Sequence, residues 1–251
     1  MRDIKWYGFN RDLPSFKDKL YSEFRVDEVT PLDSLPPLVD LRSKMPQVYD
    51  QKALGSCTAN AIGAGIQFLH KNLTPSRLFI YYNERAIEGT IDYDCGGQLR
   101  DAIKAVATQG VCAETLWPYD ISKFATKPLD MCYSYAKNDL VTEYLRVVSL
   151  QEMKSCLAAG YPFVFGFTVY ESFEGEEVAR TGILNLPSST ERTCGGHAVI
   201  AVGYNDATQR FIVRNSWGPL WGQQGYFEMG YDYISSPMLS SDFWTIRKEG
   251  K

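Results

Sequence analysis

Near residue 160 the hydrophobic pattern of the chain changes period, and that change limits the folds open to it. Before that point the apolar repeats are helical. In "SCTANAIGAGIQFLH" (56–70), Ile62, Ile66 and Leu69 recur at i, i+4 and i+7, which predicts a helix over Ser56–His70. Gly63 and Gly65 weaken that helix by about 1 kcal/mol each, but small residues also let a helix bury deeply. Ser76 stands as an N-cap before "RLFIYYNERAIE", predicting a helix to Glu88. "QLRDAIKAVAT" (98–108) predicts a third helix stopping at Gly110, and "SLQEMKSCLAAG" (149–160) a short one ending at Gly160. Residues 111–140, with Pro118 and Pro128, read as mostly irregular.

From Tyr161 onward the segments are short, β-branched and aromatic: "YPFVFGFTVY" (161–170), "GHAVIAVGY" (196–204), "RFIVRNSW" (210–217) and "GYFEMG" (225–230), separated by turn clusters. The predicted class is α+β with two lobes: a helical lobe over about 50–140, an antiparallel β-barrel-like lobe over about 141–246, and a cleft between them. The proline-marked "TPLDSLPPLVD" (30–40) reads as an extended linker, so residues 1–34 are expected to form an N-terminal extension to a domain over 35–251.

Composition narrows the partners. A net charge of -4 gives no basic face for nucleic acid. No run of about 18 apolar residues marks a membrane span. The first twenty residues carry neither an apolar core nor a small-residue cleavage site, so no secretory signal is expected and a cytoplasmic location is favoured over secretion, with the compartment left open. Six cysteines in 251 residues are too sparse for a disulfide scaffold. Cys112 and Cys132 are the candidates to pair, or none do.

Cys57 stands where the flexible "LGS" meets the first helix, a place where exposed N–H groups and the helix dipole favour a thiolate. Only two histidines are present to serve it. His70 lies about 20 Å further along the same helix, which leaves His197. An antiparallel hairpin centred near Asp206 places residues whose numbers sum to about 412 opposite one another, and so sets His197 facing Asn215. An amide oxygen there accepts one imidazole N–H and leaves the other nitrogen for a thiol. Taken singly, each residue has a structural reading as packing or turn chemistry. Together they supply a nucleophile, a base and an orienting group. A zinc site on Cys194-x-x-His197 lacks a second ligand pair, and no metal or other cofactor is expected.

"VDLR" (39–42), "DQKALGSC" (50–57), "GGHAVIAVGY" (195–204) and "RNSWGPLWGQQGYF" (214–227) resemble papain-like cysteine peptidases in the same order, and the short N-terminal region resembles a bacterial, xylellain-like branch of that family. The 140 residues between Cys57 and His197 fall within the family's usual interval of roughly 130–150. The resemblance implies that Cys57 is the nucleophile, His197 its base and Asn215 the residue that orients the imidazole. It gives Gln51 an oxyanion-hole amide and Trp217 the indole that covers the His–Asn contact. Gly96 and Gly97 match a ledge that pairs with extended substrate, flanked by Gly55 and Gly196. Leu99, Gly166, Ala198 and Ile246 fall near the pocket for the second residue before the cut, which is expected to be apolar with no acidic floor. Thr58 replaces the usual aromatic after the nucleophile. Leu54 and Asp94 replace a cysteine pair, so the family's disulfide near the nucleophile is expected to be missing.

The function expected is that of a monomeric cysteine endopeptidase acting on protein or peptide substrates through a thioacyl-enzyme. The alternatives are a peptide-binding module that has lost the chemistry and a thiol acyltransferase on the same fold. The short N-terminal segment around "YGFNRDLPSF" (7–16) is expected to lie across or beside the cleft and restrain activity, with a surface strap or a disordered tail as the alternative.

Overall fold

The computed structural model of the chain describes residues 7–139, 141 and 143–247, and it divides where the sequence pattern changes. After a one-turn helix α1 (Tyr21–Phe24), the first half builds α2 (Cys57–Leu69), α3 (Arg77–Glu88), α4 (Leu99–Thr108) and α5 (Asp130–Ala136); α6 (Leu150–Ala158), α7 (Glu176–Thr181) and α8 (Tyr231–Ser235) follow among the strands. The helix starts follow their caps. Ser76 accepts the Phe79 N–H at 3.1 Å, and Ser149 accepts the Glu152 N–H at 3.2 Å. Gly89 ends α3 in the left-handed region at φ 72°. Residues 111–139 are mostly irregular, as expected, with helix α5 the exception: its buried residues Cys132 and Ala136 pack on the core.

The strands are β1 (Leu38–Asp40), β2 (Glu143–Arg146), β3 (Phe163–Tyr170), β4 (Ile183–Leu184), β5 (Thr193–Asn205), β6 (Arg210–Arg214), β7 (Tyr226–Gly230) and β8 (Ser240–Arg247). They form one sheet in the order β2-β8-β3-β5-β6-β7-β4, with β1 paired beside β5. The sheet is open rather than barrel-like: β2 and β4 end the path without pairing to each other among the described residues, and β4 joins β7 in parallel. The stretch expected as an extended linker contributes a short helical turn (Leu32–Ser34) and then β1, whose Leu38–Asp40 pair with Asn205–Gly203.

Helix α2 is the joint between the two halves. Every residue from Cys57 to Ile66 is buried. Gly65 faces Ile200 of β5, where an added Cβ would sit 3.6 Å from that side chain. Arg77 of α3 fastens the other side, donating to Asn60 Oδ1 at 3.1 Å and to both carboxylate oxygens of Glu114 at 2.8 and 2.9 Å. Beneath the sheet Phe163, Phe165, Phe167 and Phe173 are fully buried and stack in tilted and edge-on pairs.

The N-terminal segment is built into this body. Tyr21 is fully buried and donates to Glu28 at 2.9 Å, and Glu28 accepts Arg247 at 2.6 Å from β8. Burial alone would raise the Glu28 carboxyl, but these hydrogen bonds hold it below the usual range. Tyr21→Ala is therefore expected to cost about 3–5 kcal/mol in urea unfolding, as a core residue would; a loss under about 1 kcal/mol would show the segment to be dispensable to the fold.

Candidate active site

Cys57 opens α2, and its sulfur is fully buried within reach of the backbone N–H groups of Ala198, Gly8 and Thr58. Burial pushes the thiol up to about 12, against the lowering effect of those three donors. The Ala198 contact places the sulfur beside the residue that follows His197 in β5.

His197 is fully buried, and its Nε2 lies 2.8 Å from Asn215 Oδ1. The same oxygen accepts the Ser216 N–H at 2.8 Å, which identifies it as the acceptor end of the amide. Nε2 must then carry the proton, and Nδ1 is the basic nitrogen. The contact arises differently from the sequence expectation. The β5–β6 ladder pairs Ile200 with Arg214 and, after a bulge, Tyr204 with Phe211, so facing numbers sum to 414–415 rather than 412. Strand β6 ends at Arg214, and Asn215 reaches His197 from the turn beyond it. Trp217, 5% exposed, stacks on the imidazole with centroids 5.1 Å apart and planes 29° apart. His70 caps the far end of α2, where Nδ1 lies 3.0 Å from Asp139.

Gln51 is held by the same turn. Its N–H donates to Ser216 O at 2.8 Å, its Oε1 accepts Ser216 Oγ at 2.6 Å, and its Nε2 donates to Leu54 O at 3.0 Å. The amide nitrogen thereby points into the 54–57 loop at the start of α2. The Gly96–Gly97 ledge is set by Arg85, which donates to Ile91 O at 2.7 Å and Tyr93 O at 2.9 Å, and by the Tyr81 hydroxyl, which accepts the Gly96 N–H at 3.2 Å. Asp94 accepts the Gly55 N–H at 3.0 Å and the Tyr81 hydroxyl, so a carboxylate joins the two loops. All six cysteines are free, Cys112 and Cys132 included.

Gly166, Ala198 and Gly196 line the cleft, but Ile246 does not lie opposite Gly166. The residue opposite Gly166 on β8 is Ser241, while Ile246 pairs with Tyr144 of β2 further along the strand. Leu99 is fully buried at the start of α4. Position along β8 could not be read because that strand carries no alternation pointing to the cleft. A pocket of about 290 Å³ lies beside Phe9 and Gly196, lined also by Arg11, Phe167, Met238 and Leu239.

Residues of the N-terminal segment fill the cleft. The Gly97 N–H donates to Gly8 O at 2.9 Å, the Phe9 N–H to Gly196 O at 2.9 Å and the Asn10 N–H to Gly97 O at 3.0 Å, with Phe9 and Gly97 bridged in parallel. The Phe9 ring lies on Gly166, where any Cβ would come within 2.0 Å of it. Gly8 crosses Gly55 so closely that a Cβ on Gly8 would overlap the Gly55 carbonyl. Tyr7 sits edge-on to His197 at 5.7 Å and near Trp217 at 6.2 Å. The strap is rooted at Asp12, whose N–H donates to Asp242 at 2.8 Å and whose carboxylate accepts Arg146 at 2.9 Å.

Thr58, in place of an aromatic, donates to Glu84 Oε1 at 2.6 Å. Glu84 is fully buried beneath Gly97, and burial raises its carboxyl well above the usual range. Sequence reading did not find this pair, since Glu84 looks like any charged residue of a helix.

Among the described residues no cluster of His, Cys, Asp or Glu suits a metal ion. The sequence profile of the papain family cysteine protease matches residues 35–242; the chain belongs to that family and is a cysteine peptidase, a hydrolase. It is 43% identical over 256 residues to an uncharacterised peptidase C1-like protein of Acanthamoeba polyphaga mimivirus, covering 94% of this chain and 82% of that one. It is 27% identical to chymopapain of Carica papaya, covering 89% of this chain and 68% of the relative. Among solved structures it is similar to xylellain, a cysteine protease from Xylella fastidiosa, at 44% identity and a TM-score of 0.88 over 97% of this chain and 96% of the other. The resemblance to the xylellain-like branch is thus borne out.

Thr58→Val keeps the shape of the side chain and removes the donor to Glu84. It should lower stability by about 1–3 kcal/mol, read from urea midpoints; an unchanged midpoint would mean that Glu84 does not depend on that hydroxyl.

Proposed function

We propose that the chain is a cysteine endopeptidase working through Cys57, His197 and Asn215, held latent by its own residues 7–14. The observation that carries this reading is the His197 Nε2 to Asn215 Oδ1 contact of 2.8 Å beside a sulfur reached by the Ala198 N–H. The thiol gives its proton to His197 Nδ1, and the sulfur attacks the scissile carbonyl. The oxyanion is met by the Cys57 N–H, which as the first of the helix has no intrahelical acceptor, and by Gln51 Nε2. As the carbon–nitrogen bond breaks, His197 returns the proton to the leaving amine. Water, deprotonated by the same ring, then releases the acyl group and restores the thiol. Asn215 keeps the tautomer, and Trp217 shields the contact from water. Phe9 in the Gly166 pocket favours an apolar or aromatic residue second before the cut.

A substrate runs from the Gly166 pocket past Cys57 towards Trp217. The strap runs the other way: Tyr7 lies by Trp217, Gly8 over Gly55 and Phe9 at Gly166. The Gly8 N–H therefore faces the thiol, while the Gly8 carbonyl is turned to the Gly97 N–H and is not presented for attack. The segment blocks the cleft without being a substrate.

Peptide hydrolysis tests the reading. Phe9→Ala should raise kcat/KM at least about tenfold over the intact chain, while Cys57→Ala in that background should lower it by about 10³ or more. Activity that survives Cys57→Ala would end the proposal.

Acid should not open this strap at Asp12. Burial and the facing Asp242 raise that carboxyl, against Arg100 and Arg146. Asp12 therefore binds a proton more readily docked than released, and docking gains as pH falls and weakens as it rises. Glu28, held low by Arg247 and Tyr21, stays ionised until the pH falls below the ordinary carboxylate range. Between about pH 7 and 4.5, the ratio of Phe9→Ala to intact activity should hold or grow. A ratio that falls to one in mild acid would contradict this.

A further inference from the structure

Tyr7 marks where a side chain lands on the leaving-group side of the cut. Its ring lies against His197 and Trp217, and its hydroxyl donates to Glu174 at 2.7 Å. Glu174 sits in the turn Glu171–Glu174 that follows β3, next to Phe173, which packs beneath Trp217 with centroids 5.1 Å apart. The backbone thus holds this carboxylate at the rim of the cleft, just past the catalytic imidazole. The other groups near it are the Cys194 thiol and the Tyr7 phenol. Arg192, the cation of this wall, is taken up by Glu171 at 2.6 Å, and among the described residues no cation pairs with Glu174.

We propose that Glu174 is a specificity-determining residue, and that it favours a lysine or arginine immediately after the scissile bond and disfavours an acidic residue there. The proposal rests on the endopeptidase reading and on the strap as a marker of the cleft. When the strap leaves, the Glu174 carboxylate loses the hydrogen bond from Tyr7, keeps the Cys194 thiol beside it, and faces the space beside His197. A guanidinium or ammonium placed there replaces a neutral donor with a charged one, a stronger bond to a carboxylate. A carboxylate in the same place meets like charge.

The test uses the full chain carrying Phe9→Ala and quenched peptides of one sequence with phenylalanine second before the cut. Only the residue after the cut varies: arginine, alanine or glutamate. The readout is the arginine-to-glutamate ratio of kcat/KM within each enzyme, which cancels differences in the folded fraction. The ratio should exceed about fivefold with Glu174 present, fall towards one in Glu174→Gln, and invert in Glu174→Lys. A ratio that is the same in all three enzymes overturns the role of Glu174 while leaving the endopeptidase reading intact. If the Phe9→Ala chain cuts none of the peptides, the endopeptidase reading fails first and this inference falls with it.

Discussion

Strand β5 lying along helix α2 is the contact on which the cleft depends. Gly65 gives the helix a side without a side chain, so Ile200 packs directly onto it. That fit brings the Ala198 N–H to the Cys57 sulfur, with His197 one residue away. The thiol comes from one half of the chain and the imidazole from the other, and neither half alone makes a site. The remaining parts are held to this seam by short polar links. Ser216 ties Gln51 to the turn that carries Asn215, and Asp94 ties Gly55 to the ledge. Those links do not require an oxidised cysteine pair.

On the proposed reading the strap uses the same surfaces that a substrate would. Three main-chain hydrogen bonds join it to Gly97 and Gly196, and two aromatic side chains fill the positions on either side of the thiol. Its direction sets its effect, because a reversed chain satisfies the ledge without offering a carbonyl to the sulfur. Burial under Gly8 also removes the solvent that would stabilise a thiolate. Latency in this account is both steric and electrostatic.

Much of this was legible in the sequence because the chemistry sits in segments with strong local signals. Ser76 and Ser149 mark real helix starts, Cys57 opens a helix, and Asn215 and Trp217 stand against His197. A hairpin about Asp206 does bring His197 and Asn215 together, with the register slipped by two to three residues because of the bulge between Ala201 and Gly203 and the end of β6 at Arg214. Strands β1 and β8 were missed for a related reason: one is three residues long beside prolines, and the other mixes serine, aspartate and aromatics without alternation. The error at Ile246 follows from that, because side-chain position in the pocket depends on strand register. Glu84 was not legible at all, as its role comes from burial and from Thr58 across the helix pair.

The most direct measurement is the rate of Cys57 alkylation by iodoacetamide as a function of pH, followed by mass spectrometry of the modified peptide, in the intact chain and in Phe9→Ala. The account predicts slow labelling of the intact chain that rises only in strong alkali, in keeping with a thiol pushed up to about 12 by burial, and rapid labelling near neutrality once the strap is loosened. Rapid labelling of the intact chain at neutral pH, or identical profiles in the two proteins, would contradict it.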